Sequence, residues 1–215
     1  MKNLITLVMA IFMVATASSA EEIKEGVHYE VIATTTTATP EVKEFFSYYC
    51  PHCHNFEPLA DSLKKAAKTD NFKFVKSHVD FLPAAGPDIQ MMLTKALVTS
   101  EVLNVPAASK AIFEYIHNQR GVFTKEKDIR DLFLIHNVDG EKFDKAFNSF
   151  AVKAAANKMK KEQDSLSRRR VLTGVPTFIV NGKYKILNSG FKNAKTYDEY
   201  FAQIQAAAIE LTKKK

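Results

Sequence analysis

Apolar positions follow three different rhythms along this chain. Residues 4–15 form an almost unbroken apolar run, behind Met1-Lys2-Asn3 and ahead of the small residues Ala17-Ser18-Ser19-Ala20. A short basic start, an apolar stretch of this length and a small-residue site describe a secretory signal peptide, expected to be cleaved after Ala20. No later run approaches the ~18 apolar residues of a membrane span, so the mature chain is expected to be soluble. Residues 28–33 then read as a short strand and 34–40 as a loop. Residues 42–48 are rich in β-branched and aromatic residues and apolar on both faces, as in a strand buried on both sides. From Cys50 the period changes to that of a helix, with Phe56, Leu59, Ala60, Leu63 and Ala67 on one stripe. Residues 72–79 return to strand.

The stretch 82–163 is nearly all helical in pattern. Ile89, Met92, Leu93, Ala96 and Leu97 recur at helical spacing, as do Ile129, Leu132 and Phe133, and then Phe143, Ala146, Phe147 and Phe150. Pro87, Pro106, Gly121 and Asp139-Gly140 punctuate these helices. Residues 151–170 read as one long helix leading out. Thr177–Val180 and residues 183–187 are strands flanking Asn181-Gly182, a strong hairpin signal. Residues 197–211 close as an amphipathic helix. With the helical block set aside, the order is βαβ followed by ββα, with one extra strand in front. The expected architecture is α/β with an all-helical insertion: a first part at 21–81, the insertion at 82–163 and a second part at 164–215.

Composition adds little to this picture: 46% apolar and 25% charged residues are ordinary globular material. The net charge of +6 falls by one when Lys2 leaves with the signal. Its basic runs, Lys64-Lys65, Arg168-Arg169-Arg170 and Lys213-Lys214-Lys215, read as solvated helix faces and a tail. No aromatic-lined basic groove accompanies them, so a nucleic-acid function is not expected.

Cysteine use changes the picture more. The chain has two cysteines, Cys50 and Cys53. A structural staple in an exported protein gains most by closing a long loop, and these two close almost none. They are there for chemistry. Cys50-Pro51-His52-Cys53 is a C-x-x-C pair at a strand-to-helix turn, the placement of a thioredoxin-like redox site. Extended to His54, the same letters spell the C-x-x-C-H attachment sequence of a c-type haem. A metal site is weakly supported, because Cys50, Cys53 and His54 have no clear fourth ligand nearby in sequence.

Cys50 stands where backbone N–H groups and the helix dipole favour an anion, so its thiol should lose a proton easily. Pro51 suits the first helical turn, where its missing N–H has no partner to lose. His52 can bring a donor or a positive charge to the Cys50 sulfur. Cys53 falls on the apolar stripe and points inward. Glu44 shares a strand face with Val42 and Phe46, and Lys76 one with Phe72 and Phe74. A charge on an apolar strand face is costly unless paired. If the strands are neighbours, Glu44 and Lys76 could form a partly buried pair beneath the cysteines, joined by Glu57; otherwise each snorkels to solvent at a sheet end. Pro176, in Gly174-Val175-Pro176-Thr177, is out of place in a central strand. It is either a cis-proline exposing the Val175 backbone to an extended peptide or a plain edge proline.

The segments EFFSYYCPHCHNFEP and GVPTFIVNGKY together resemble the DsbA-type thiol:disulfide oxidases, thioredoxin-fold proteins with an inserted helical domain. The resemblance covers essentially the whole mature chain, and the C-P-H-C dipeptide choice is more specific than C-x-x-C. It implies that Cys50 is the nucleophilic, solvent-facing cysteine and Cys53 its buried partner. Pro176 then matches the cis-proline lying against the disulfide, with Val175 as the peptide-pairing residue. Glu44, Glu57 and Lys76 match the buried acid, the helix acid and the strand lysine, and Pro58 matches a helix-kinking proline. His54 and Thr177 occupy positions where members vary. The resemblance further implies an acidic Cys50, a strongly oxidising Cys50–Cys53 disulfide and no cofactor beyond it. The expected substrates are unfolded exported proteins with free cysteines, and the expected reoxidant is a quinone-linked membrane protein of DsbB type. The expected state is a periplasmic monomer. A reductase or isomerase on the same fold is the alternative. Isomerases of this class carry a dimerisation domain for which there is no room ahead of His28, and a reductase usually has another dipeptide. The haem reading accounts for His54 but leaves Glu44, Lys76 and Val175-Pro176 unexplained.

Overall fold

The computed structural model describes residues 22–214; the expected signal peptide and its expected cleavage after Ala20 lie outside the described residues. Five strands form one sheet: β1 (Tyr29–Val31), β2 (Glu41–Phe46), β3 (Lys73–His78), β4 (Thr177–Val180) and β5 (Tyr184–Ile186), in the order β1-β5-β4-β2-β3. β2 runs parallel to β3 and antiparallel to β4. Val42, Phe45 and Phe46 are all fully buried, which is why β2 is apolar on both faces. The β4–β5 hairpin turns at Asn181 and Gly182, which both have positive φ, 53° and 65°. Val180 pairs with Tyr184, so the connection is the three residues 181–183, and its two left-handed positions favour Asn and Gly.

The active-site segment departs from the expected single helix over 50–67. It forms two helices, α1 (Pro51–Asn55) and α2 (Glu57–Thr69), joined at Phe56. Pro58 accounts for the break, since it has no N–H to give the carbonyl four residues back and its ring would crowd that group. β2 also ends at Phe46, earlier than expected, because Ser47 opens a turn. The Ser47 carbonyl accepts from Cys50 N–H at 3.0 Å and its hydroxyl accepts from Tyr49 N–H at 3.2 Å.

The helical stretch comprises α3 (Pro87–Val102), α4 (Pro106–His117), α5 (Glu126–Ile135), α6 (Gly140–Phe147) and α7 (Phe150–Arg168), and α8 (Tyr197–Thr212) closes the chain. α7 runs unbroken through position 163/164, where the second part was expected to begin. Apolar burial is organised in three clusters. Leu59 and Leu63 of α2 and Ile204 and Leu211 of α8 pack with Val42, Phe178 and Val180. Leu166, at the end of α7, and then Val171 and Leu172 pack with Phe45, Val79 and Ile179. The third cluster joins the sheet to the inserted helices: Phe46, Tyr48, Cys50 and Cys53 share it with Leu93, Ile112, Phe113, Phe133 and Phe147. The helices therefore wall one side of the cysteine pair.

Candidate active site

Cys50 is the N-cap of α1, with extended backbone (φ −95°, ψ 111°), and its Sγ accepts the Cys53 backbone N–H at 3.1 Å. Both cysteines are unpaired thiols in this state. A hydrogen bond from the Cys53 thiol does most to lower the Cys50 pKa below the ordinary thiol range, aided by the backbone N–H groups of Cys53 and His52. Burial and the Glu44 carboxylate oppose this without reversing it. Cys53 moves the other way: burial first, then the Cys50 sulfur, push its thiol far above the ordinary range. One sulfur favours the thiolate and the other the thiol, three residues apart. α1 has only five residues, so this asymmetry rests on local hydrogen bonds more than on a long helix dipole.

Cys50 is more covered than a solvent-facing nucleophile implies, at 5% exposure. The cover includes the loop before β4. The Val175–Pro176 peptide bond is cis, and the Val175 carbonyl accepts the Cys50 thiol at 3.6 Å. β4 has neighbours on both sides, β2 and β5, which excludes the edge-proline alternative. Among the described residues the Val175 N–H has no hydrogen-bond partner. Beside it runs an open groove of about 380 Å³ lined by His52, Phe56, Gly174, Val175, Pro176 and Asn188. His52 is exposed there, and what it gives the Cys50 sulfur in this state is its backbone N–H.

Glu44 and Lys76 are paired in register across β2 and β3. Glu44 is fully buried, and the Lys76 ammonium lies 3.5 Å from one of its oxygens. Neither oxygen receives a well-formed hydrogen bond among the described residues. Burial lifts the Glu44 pKa from 4.5 to about 7, against the pull of Lys76 and with a push from Glu57. Lys76 makes its close contact with Glu57, which α2 presents from above. Burial opposes the Lys76 charge, but the two carboxylates outweigh it and raise its pKa. The snorkelling alternative is excluded for Glu44, while Lys76 and Glu57 keep partial exposure at 18% each.

Several neighbours had no signal in the sequence. The Tyr48 hydroxyl meets Ser109 Oγ at 2.6 Å, and His117 Nε2 donates to the Tyr48 carbonyl at 2.8 Å. The His54 ring stacks on Phe113 and His117 at 5.3 Å and 5.2 Å, with its Nε2 3.3 Å from Glu114. The nitrogen a haem iron would need is thus turned to α4. His78 is buried, its Nδ1 2.9 Å from Thr94 Oγ1, and burial lowers its pKa to about 3. These contacts come from α3 and α4, far away in sequence, and only the fold brings them to the cysteines. Among the described residues no cluster of His, Cys, Asp and Glu is arranged to hold a metal ion.

The DSBA-like thioredoxin domain matches residues 41–202 of this chain. The chain belongs to the DsbA family. The thiol:disulfide interchange protein DsbA of Pectobacterium carotovorum subsp. carotovorum is 36% identical over 195 residues, 89% of each chain. DsbA of Escherichia coli strain K12 is 31% identical over 215 residues, covering 98% of this chain and 99% of its own. The crystal structure of Proteus mirabilis DsbA superposes with a TM-score of 0.75 at 30% identity, over 91% of this chain and 99% of its own. A second structure of that protein carries a non-covalently bound peptide and also gives a TM-score of 0.75, at 29% identity, over 89% and 98%. The fold is therefore the DsbA-like thioredoxin fold with a helical insertion, and this DsbA-family chain is a thiol:disulfide oxidoreductase.

Proposed function

We propose that the protein donates its Cys50–Cys53 disulfide to newly exported, unfolded proteins. The observation that carries this reading is the opposed pKa shift of the two thiols, Cys50 down and Cys53 up. A substrate thiolate attacks Cys50 Sγ; the Cys50–Cys53 bond breaks, and its electron pair leaves on Cys53, which then takes up a proton. A second substrate thiolate attacks the substrate sulfur of the mixed disulfide, and Cys50 departs as a thiolate. The substrate gains one disulfide, and the enzyme gains two electrons, held as the Cys50 thiolate and the Cys53 thiol. Each pKa unit of Cys50 below ambient pH stabilises the reduced form by about 1.4 kcal/mol, about 30 mV for this two-electron couple.

The supporting roles follow the same logic. With a pKa of about 7, Glu44 can hold or release a proton near neutrality, which suits the protonation of Cys53, and Lys76 and Glu57 tune it. Pro51 and His52 shape the turn and the groove. The free Val175 N–H beside cis-Pro176 suits pairing with an extended peptide, consistent with the peptide complex of the Proteus mirabilis relative. The reading includes no cofactor beyond the redox disulfide, a monomer in the periplasm and reoxidation by a quinone-linked membrane protein of DsbB type. Among the described residues no helix is long and apolar enough to cross a membrane.

Titration of the Cys50–Cys53 couple against glutathione buffers tests the direction of transfer. A potential well above that of the glutathione couple is expected. A potential well below it would make the protein a reductase and overturn the reading.

A further inference from the structure

The redox site leaves one surface without a role. α7 turns Val152, Ala156, Gln163 and Leu166 inward. On its outer side Phe150, Lys153, Ala154, Asn157, Lys158 and Lys161 follow helical spacing and line a shallow groove of about 430 Å³. Phe150 is 87% exposed, the most open large apolar side chain among the described residues. Lys153, Lys158 and Lys161 are exposed and have no ion-pair partner among the described residues. The acids that could have neutralised them are engaged elsewhere: Glu162 with Lys43 at 2.6 Å, and Asp164 with Lys160 at 3.1 Å. The result is a straight strip about 16 Å long, with an aromatic anchor at its start and uncompensated cations along it.

We propose that this face of α7 seats the protein on an anionic lipid surface. The choice of lysine decides between lipid and an acidic protein. Protein interfaces deplete lysine and favour arginine, whose planar fork matches a carboxylate, and residues 150–161 contain four lysines, the three unpaired ones and Lys160, and no arginine. A lipid surface instead rewards point charges on long stems, one by one, without fixed geometry. An exposed aromatic among lysines on a helix face is the pattern of an interfacial helix, with the ring entering the headgroup boundary. The net charge, +6 for the full sequence and +5 without Lys2, adds long-range attraction of the same sign. The inference rests on this helix face alone and is independent of the redox reading.

Co-sedimentation of the purified protein with vesicles tests it. Binding to an equal mixture of phosphatidylglycerol and phosphatidylcholine is expected, with none to phosphatidylcholine alone, reversal by salt and no competition from inorganic phosphate. Each lysine neutralised should weaken binding about five-fold. The triple variant Lys153→Gln, Lys158→Gln, Lys161→Gln should therefore lose binding about a hundredfold, and Phe150→Ser should weaken it on its own. Thiol oxidase activity and circular dichroism should be unchanged in both variants. Vesicle binding retained by the triple variant would assign it to other basic groups, such as the terminal lysines, and would overturn the proposal. So would failure to bind anionic vesicles, or α7-dependent capture by polyglutamate in place of vesicles, which would point to an acidic protein.

Discussion

At Glu44 burial competes with an ion pair, and burial wins. Its folded pKa of about 7 lies above the ordinary 4.5, so between those values the folded protein holds a proton that the unfolded chain has released. Stability therefore falls as pH rises through this window, by on the order of 3 kcal/mol in all. His78 acts with the opposite sign. Its pKa is depressed from 6.5 to about 3, so the unfolded chain binds the extra proton, and stability rises with pH between those values. Lys76 does not intrude, because its pKa is raised above 10.5. The two slopes oppose each other across the overlap, which leaves the protein with little net dependence there and a loss on the alkaline side. Glu44→Gln should remove one slope only. Urea unfolding of the reduced variant should show stability rising with pH up to about 6.5 and then levelling, with the difference from wild type growing through the Glu44 window. Parallel curves for the two proteins would mean that Glu44 does not carry the shift. The absolute offset also contains the loss of an ion pair to Lys76, so the slope is the quantity to read.

At the scale of elements, the β4–β5 hairpin is tied in by one side chain. Asn181 Oδ1 accepts from Glu41 N–H of β2 at 2.9 Å, and Nδ2 lies 3.2 Å from the Leu211 carbonyl and 3.1 Å from that of Thr212 at the end of α8. It thereby satisfies carbonyls that a helix C-terminus leaves open. Asn181→Ala should cost on the order of 3 kcal/mol, from lost buried hydrogen bonds and from an alanine held at positive φ. Asn181→Gly should cost less, because it relieves the backbone but not the hydrogen bonds. Denaturant midpoints check the order, and equal losses would put the whole effect on the hydrogen bonds. The turn itself was legible in Asn181-Gly182, because positive φ selects those residue types; the grip on α8 was not, because nothing local records a contact across thirty positions. The same division runs through the site. The C-x-x-C spacing and charges on apolar strands are local facts, and they led to Cys50, Cys53, Glu44 and Lys76. Strand neighbours are not local, so Pro176 stayed open between two readings until β4 was found inside the sheet. The apolar stripe continues through Phe56, so the pattern alone read as one helix; only the resemblance, through Pro58, implied a kink, and position 58 suits proline once a new helix starts there. His117 and Ser109 reach Tyr48 from α4, and no pattern in their own helix marks them out.

The whole molecule is held together at the active site. Phe113 of the inserted α4 packs its ring 4.9 Å from Tyr48, 5.8 Å from Phe46 and 5.3 Å from His54, and the Lys76 ammonium lies 5.6 Å from its centroid. The inserted helices and the sheet therefore share one apolar cluster that also contains both cysteines. α7 adds a second tie. It carries Gln163, whose amide donates to Asp80 Oδ1 at 2.6 Å and whose carbonyl oxygen accepts the Asp80 N–H at 2.8 Å, at the point where the chain leaves β3 for the helices. A helical unit that leaned on the sheet only through flexible crossings would melt by itself. One that shares Phe46, Tyr48 and the cysteine turn with the sheet cannot lose its packing without exposing them. A single cooperative transition is expected, with calorimetric and van't Hoff enthalpies in agreement. Phe113→Ala should destabilise the protein by about 3 to 5 kcal/mol. The loss should shift the whole transition, leaving it single. Two resolved transitions, with Phe113→Ala moving only one, would show instead that the inserted helices fold on their own account. The cysteine pair would then be walled by a unit able to open without unfolding the sheet.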